Sequence, residues 1–288
     1  MRVLVTGCEG MLGRAVLGRL QQGHETVGVD LADGNLADDR AVADIITRYV
    51  PEWVIHCAAW TDVDGAETSR TEAESANVTA TENLARRCES THCGLTYLST
   101  DYVFAGGGQA TGYCEEQERN PVNFYGLTKA RGEEIVASLT TPWQIVRTSW
   151  LFGDGRVNFP KTIRRLLDER ETLKVVDDQR GCPTYAEDLA AVLGFLVSGG
   201  HRGIFHGTNH GACSWFEFAR EVAVGCGADP SRISACGSDE FPTRAVRPTC
   251  SILASRRLET AGCPDRPSWQ DGLKRYLDHL DSELAVFP

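Results

Sequence analysis

The sequence predicts an α/β fold, a doubly wound parallel sheet covered by helices, followed by a smaller C-terminal α/β domain. Three observations lead there. Short β-branched runs alternate with amphipathic stretches from residue 2 onward, a glycine-rich turn follows the first of them, and the pattern loses its regularity after residue 150. Repeating βαβ units imply a parallel sheet buried on both faces.

Val3-Leu4-Val5 reads as the first strand and Met11 to Leu20 as the first helix. Thr26 to Val29, Trp53 to Cys57, Leu95 to Leu98 and Ile145 to Thr148 supply four more strands. Helices at Val42 to Tyr49, at Glu72 to Cys88 and from about Tyr125 lie between them, the last after a polar Gly-rich loop, Gly106 to Pro121. Residues 1–150 are thus a five-strand domain. In 151–288, helices near Val157 to Glu169, Ala186 to Val197 and Trp215 to Val224 are separated by Pro and Gly clusters, and some segments are expected to return to the first domain. Ser268 with Asp271 three residues on announces a final helix, whose Leu273, Tyr276, Leu277 and Leu280 recur at helical spacing. Trp53, Trp143, Trp215 and Trp269 sit at element starts and read as core packing.

Composition narrows the function. With 40 acidic against 29 basic residues in 288, the formal charge is −11, which repels nucleic acid and anionic lipid unless a basic patch intervenes, and none is evident. The longest apolar run, Ala190 to Val197, is broken by Gly194 and is far shorter than the roughly 20 residues that span a bilayer. Eleven scattered cysteines without C-x-x-C spacing suggest neither a disulfide scaffold nor a zinc site. A cytoplasmic protein is expected. His206 and His210 stand at i, i+4, but Gly207, Asn209 and Gly211 read as loop, so no metal is assigned.

Gly7-Cys8-Glu9-Gly10-Met11-Leu12-Gly13 follows a strand and opens a helix, the setting of a Rossmann-type dinucleotide site. The first glycine makes the turn, the second admits a pyrophosphate to the backbone, and the third lets helix and strand pack closely. Asp30 ends the second strand, where a carboxylate accepts hydrogen bonds from an adenosine ribose and repels a 2′-phosphate, favouring NADH over NADPH; the plain alternative is a solvated loop carboxylate. Cys8, near a helix N-terminus that lowers a thiol pKa, is more simply a spacer. Tyr125 and Lys129 stand at i, i+4, one face of a helix, where a cation draws a phenol pKa down from about 10 toward working pH. A surface lysine beside a core tyrosine is the plain alternative. Thr100, in Leu98-Ser99-Thr100-Asp101 at the end of the fourth strand, faces the same crevice as the glycine turn.

These elements together resemble the extended short-chain dehydrogenase/reductases and, among them, the dTDP-4-dehydrorhamnose reductase group. The likeness covers nearly the whole chain. It includes Ala58-Ala59-Trp60-Thr61-Asp62-Val63-Asp64-Gly65-Ala66-Glu67, Ser99 to Phe104, Arg147 to Trp150, Asp178 to Thr184, and Arg247-Pro248 with Ser251. The resemblance implies a catalytic trio of Thr100, Tyr125 and Lys129. It implies a cofactor, NADH or NADPH, held by Gly7, Gly10, Met11, Leu12, Gly13, Asp30, Asn35, Leu36, Ala58, Ala59 and Thr61 as well as Tyr125 and Lys129. Thr61, Val63, Asp101 and Trp150 would border a sugar pocket shared with Thr100 and Tyr125, and Arg247 would neutralise the diphosphate of a dTDP-sugar. Residues 151–288 would then be mainly the substrate domain.

The implied reaction is reduction of the C4 ketone of a dTDP-4-keto-6-deoxy-L-sugar, dTDP-4-dehydrorhamnose to dTDP-L-rhamnose. Neighbouring readings within the resemblance are a reductase of an antibiotic deoxysugar pathway, a sugar-nucleotide epimerase, and a regulatory subunit that keeps the fold without turning over. Two departures stand out. Asn35-Leu36 replaces the acidic and apolar residues that often bracket the adenine. Ala15, preceded by Arg14, occupies the position from which relatives supply a glutamate to a magnesium site at their dimer interface. A homodimer through other surfaces remains implied, without a metal.

Overall fold

Strand β1 (Arg2–Thr6), helix α1 (Met11–Leu20), strand β2 (Glu25–Val29), helix α2 (Asp39–Tyr49) and strand β3 (Trp53–His56) open the chain in strict alternation. The computed structural model describes residues 1–107, 111–155, 157–264 and 266–286; Gly108, Gln109 and Ala110 of the predicted Gly-rich loop lie outside the described residues. After β3 come short helices α3 (Val63–Thr68) and α4 (Arg70–Glu74), a π-helical turn (Ser75–Thr79) and α5 (Ala80–Thr91). Strand β4 (Gly94–Thr100), α6 (Phe124–Ala137) and β5 (Trp143–Thr148) complete the first half. The helix predicted from Glu72 to Cys88 is therefore interrupted. The π turn fits one extra residue into the coil, a feature that often marks functional sites.

The second half contains β6 (Leu151–Phe152), α7 (Phe159–Glu169), β7 (Leu173–Val176), β8 (Arg180–Gly181), β9 (Thr184–Tyr185) and α8 (Ala186–Ser198). It ends with β10 (Gly203–His206), β11 (Cys213–Ser214), α9 (Trp215–Gly225), β12 (Ile233–Cys236), α10 (Arg256–Thr260) and α11 (Trp269–Val286). The main sheet is parallel and six-stranded, in the order β10-β5-β4-β3-β1-β2. The sixth strand corrects the reading of His206 as part of a loop. Gly203-Ile204-Phe205-His206 is too short and its flanks too glycine-rich to show a strand pattern, yet pairing with β5 satisfies its backbone. His210 does lie outside the strands, in a single bridge to Ser268.

Alternation within the strands explains the two layers. Val3 and Val5 face a core with Leu12, Val16 and Leu20 of α1 and Leu189, Val192, Leu193 and Leu196 of α8. Leu4 points to the other side, among Val42 and Ile45 of α2, Leu84 of α5 and Val136 of α6. Helix α8 thus closes one face of the first sheet although it lies in the second half of the chain. A separate core joins Ile163 and Leu167 of α7, Phe218 and Val222 of α9, and Leu273, Tyr276 and Leu277 of α11. Ser268 Oγ accepts from Asp271 N at 3.2 Å at the start of that last helix.

Charges also enter the core. Arg147 on β5 and Glu133 on α6 are each 1 % exposed and form a bidentate pair, Nε to Oε1 at 2.8 Å and Nη2 to Oε2 at 2.7 Å. Ser99 Oγ donates to the same carboxylate at 2.6 Å, and Arg147 Nη1 donates to the Glu115 carbonyl at 3.1 Å. Removing one partner leaves the other charged and buried, which costs about 3–5 kcal/mol. Arg147→Met is accordingly expected to lower the unfolding free energy by about that amount in urea titrations, whereas Arg165→Met, whose partner Glu169 is exposed, should change it by less than about 1 kcal/mol.

Candidate active site

A cleft of about 720 Å³ opens at the C-terminal ends of the sheet strands. Gly7, Gly10, Met11, Leu12, Gly13, Asp30, Asn35 and Leu36 form its wall at one end. Ala58, Ala59, Thr61 and Val63 run along it, and Thr100, Asp101, Tyr125, Lys129 and Trp150 gather at the other end. Of the predicted site residues, Arg247 alone stands outside the cleft wall among the described residues. Sequence reading missed Glu9, Leu31, Cys57, Tyr102 and Val157 in that wall.

The glycines are required by close approach. Gly7 has φ +67°, and a Cβ there would stand 2.7 Å from Ala58 N; one on Gly13 would stand 2.1 Å from Gly7 O. Helix α1 therefore begins against β1 with no side chain capping its first turn, leaving its N-terminal amides for an anion. Asp30 is not a free loop carboxylate. Its Oδ2 accepts from Glu9 N at 2.9 Å and its Oδ1 from Leu31 N at 2.8 Å, so it fastens the glycine turn to the end of β2. The Cys8 thiol is pushed up, first by burial and then by Asp30, Glu9 and Asp33, so the lowering expected from the helix end does not prevail.

At the other end, Tyr125 and Lys129 occupy successive turns of α6, which begins at the Asn123 cap, Oδ1 accepting from Gly126 N at 2.8 Å. Gly126 is small because the Tyr102 carbonyl passes where its Cβ would be, at 2.2 Å. The expectation that Lys129 holds the Tyr125 phenol below its ordinary value is overturned: burial pushes the phenol up, a hydrogen bond with Thr100 opposes this, and Asp101 adds to the rise. Burial also brings Lys129 down to about 7, against the pull of Glu133 and Cys57, so both groups pay for desolvation. The Lys129 ammonium lies 4.2 Å from the centre of the Tyr97 ring. Asp101 is raised to about 6 by burial, despite bonds from Ser251 and Thr100. Thr100 Oγ1 donates to Asp101 Oδ1 at 3.0 Å, so that carboxylate orients the hydroxyl.

Trp150 stands at φ +47°, a conformation uncommon outside glycine and concentrated at functional sites. Its ring stacks on Trp215 at 3.6 Å, and Gly181 leaves the space, since a Cβ there would lie 2.5 Å from the Trp150 ring. Trp215 is half-buried and also packs on Phe159 and Phe218 of the second core, so it backs Trp150 as core packing. Asn77, in the π turn, gave no signal in sequence because its partners are remote. It accepts from Trp60 N at 2.8 Å and donates to Thr128 Oγ1 at 2.9 Å, tying the Ala58–Thr61 wall to the tyrosine helix. His206 is buried and pushed down to about 3 by burial and Arg147, hence neutral. Among the described residues no group of three His, Cys, Asp or Glu side chains is placed to hold a metal.

Comparison with known proteins gives a match to the family model described as RmlD substrate binding domain over residues 1–282. A protein named dTDP-4-dehydrorhamnose reductase from Mycolicibacterium smegmatis is 38% identical over 277 residues, covering 95% of this chain and 84% of that one. A protein named dTDP-4-keto-6-deoxy-D-glucose reductase from Streptomyces niveus is 36% identical over 284 residues, 98% of each chain. The crystal structure of dTDP-4-dehydrorhamnose reductase from Bacillus anthracis in complex with NADP superposes with a TM-score of 0.92 at 36% identity, covering 96% of this chain and 99% of that one.

The Lys129 charge depends on Glu133, one helical turn away. Glu133→Gln removes the largest influence that keeps the ammonium protonated, so the Lys129 pKa should fall below about 7. A reaction that needs the cation loses rate as pH rises through that pKa, and its alkaline limb should move to lower pH in the variant. A pH profile of kcat/KM that does not move would separate Lys129 from the rate.

Proposed function

Because this chain belongs to the RmlD substrate binding domain family, we propose that it is an NAD(P)H-dependent reductase of the C4 ketone of a dTDP-4-keto-6-deoxy-L-sugar, forming dTDP-L-rhamnose from dTDP-4-dehydrorhamnose. The observation that carries this reading is the meeting of Thr100, Tyr125 and Lys129 with the glycine turn on one cleft. The turn fits a dinucleotide, since Gly7 and Gly13 leave backbone where side chains would otherwise stand. Gly7, Gly10, Gly13 and Asp30 would hold its adenosine half, Ala58 and Ala59 its length, and Lys129 the nicotinamide ribose. When bound, the reduced nicotinamide supplies a hydride for the sugar C4.

Thr100 directs its single hydroxyl proton to Asp101 in the free chain, and turning that proton to the ketone oxygen lets it share the developing charge there. Tyr125 gives that oxygen its phenolic proton. A phenol whose pKa is raised by burial is fully protonated at neutral pH, which suits a donor. Thr61, Val63, Asp101 and Trp150 shape the sugar pocket, and Arg247 meets the diphosphate. Residues 1–150 serve as the dinucleotide-binding domain and 151–288 mainly as the substrate domain, with α8 and β10 returned to the first sheet. We propose the cytoplasm as its compartment, with a homodimer as one assembly open to it. No helix among the described residues is long and apolar enough to cross a membrane.

The Streptomyces niveus relative, named for dTDP-4-keto-6-deoxy-D-glucose, favours a second reading, a reductase of a different keto-sugar in a related deoxysugar pathway. Incubation of the purified chain with NADH or NADPH and each keto-sugar, followed by assignment of C4 stereochemistry by NMR, decides between them, and absence of cofactor oxidation across a panel of keto-sugar nucleotides would favour a regulatory subunit. Tyr125→Phe deletes one hydroxyl and should reduce turnover by about 10²–10⁴-fold with little change in dinucleotide affinity. Retention of half the activity would refute the proton-donor assignment.

Cofactor choice follows from the charge around the adenosine end. Glu9, Asp30 and Asp33 all act on Cys8, so three carboxylates surround the loop that a 2′-phosphate would approach. NADH is expected to bind more tightly than NADPH, although the Bacillus anthracis relative carries NADP. Fluorescence titration with both cofactors checks this, and a tenfold preference for NADPH would overturn it.

A further inference from the structure

Three carboxylates in and beside helix α3 have three different tasks. Asp62 caps the helix itself, its Oδ1 accepting from Gly65 N at 2.9 Å. Glu67 reaches out to accept from Phe124 N at 2.7 Å, the first residue of α6 and the neighbour of Tyr125. Asp64 reaches the other way: Oδ1 accepts from Ala245 N at 2.9 Å and Oδ2 from Arg247 Nη2 at 2.7 Å. The same arm of chain is held again where Asn123 Nδ2 donates to the Val246 carbonyl at 2.9 Å. Helix α3 therefore joins two segments about 120 residues apart in sequence, one carrying Tyr125 and the other Arg247.

Arg247 lies beside the cleft, its guanidinium carbon 6.0 Å from the centre of the Tyr102 ring, and Tyr102 lines the cleft with Thr61 and Val63. Of the five N–H donors on a guanidinium, the Asp64 carboxylate and the Ala245 carbonyl engage one each, leaving three for an anion. Two opposing effects follow from the pairing. Asp64 neutralises part of the charge that would attract a phosphate, but its side chain is 38 % exposed and that penalty is screened by water. The pairing also removes the rotamer freedom that an unrestrained arginine would lose on binding, and a preset guanidinium fork suits phosphate oxygens. With Arg247 itself 18 % exposed and its orientation fixed by two partners, we take the second effect as the larger.

We propose that Asp64 is a positioning residue that holds Arg247 as a preset receptor for the diphosphate of the nucleotide sugar, at an offset from Tyr125 set through Glu67 and α3. This rests on the assignment of Arg247 to the diphosphate. The test is a double-mutant cycle read by calorimetric titration of the full chain with dTDP, using Asp64→Asn, Arg247→Met and the pair. Each single change should weaken dTDP by about tenfold, as expected for a hydrogen bond to a charged group, and the pair should be no weaker than Arg247→Met alone. Asp64→Glu should restore part of the affinity. In turnover, Asp64→Asn should raise the KM for the keto-sugar nucleotide by more than it lowers kcat, with the KM for NADH unmoved. Additive losses, or dTDP affinity equal to or tighter than wild type in Asp64→Asn, would overturn the proposal while leaving the reductase reading intact. A cycle that shows the coupling with dTDP, together with a wild-type chain that reduces no keto-sugar, would support the receptor and remove the reductase reading.

Discussion

Arg147 and Glu133 face each other in the interior, two charges that folding has taken out of water, with Arg119 Nη1 a second and longer partner of Glu133 at 3.4 Å. Isolated, either would be costly there; paired through two parallel bonds and completed by Ser99 and the Glu115 carbonyl, they become a fixed strut between β5 and α6. The strut sits beneath the reactive end of the cleft. Glu133 stands four residues after Lys129 on α6, so the same carboxylate that satisfies Arg147 also keeps the buried lysine closer to its charged form. An apolar pair of equal volume could fill the space, but it would not hold a cation beside the cleft. The placing of α6, and with it of Tyr125, follows from this constraint.

Around that strut, short polar contacts join segments far apart in sequence. Asn77 ties the Ala58–Thr61 wall to Thr128, and Thr128 Oγ1 in turn donates to the Tyr125 carbonyl at 2.7 Å. Glu67 closes the N-terminus of α6, where an acceptor is favoured by the unpaired amides and the helix dipole. Asp101 holds Thr100 on one oxygen and accepts from Ser251 on the other. None of these residues needs to touch substrate to matter. Each fixes a neighbour that lines the cleft, and a group held in advance loses less freedom when a ligand arrives.

Burial has opposite consequences for the two ends of the cleft. At the tyrosine end it disfavours both phenolate and ammonium, so the site holds its proton until a developing alkoxide claims it. At the adenosine end Glu9 and Asp33 are exposed and Asp30 half-buried, and these carboxylates shape the field that a cofactor meets. A single cleft thus combines a desolvated reaction centre with a polar, solvent-washed anchor, the division expected where binding and chemistry are spread along one elongated ligand.

Local pattern was enough for part of this. The β-branched runs, the turn Gly7 to Gly13 and the i, i+4 spacing of Tyr125 and Lys129 are short-range signals, set by backbone sterics and by periodicity that neighbouring residues carry themselves. They determined the fold class, five of the six sheet strands and the two ends of the cleft, whereas Ala58 to Val63, Asp101 and Trp150 were legible only through the family resemblance. The sixth strand, Gly203 to His206, became a strand only because β5 offered an unpaired edge. Asp64, Glu67 and Asn77 acquired their tasks from partners 17 to 183 residues away, which no local pattern encodes. The protonation of the reactive pair was decided in the same way, because the desolvation of Tyr125 and Lys129 depends on everything packed around them and outweighs the attraction that their spacing alone suggests.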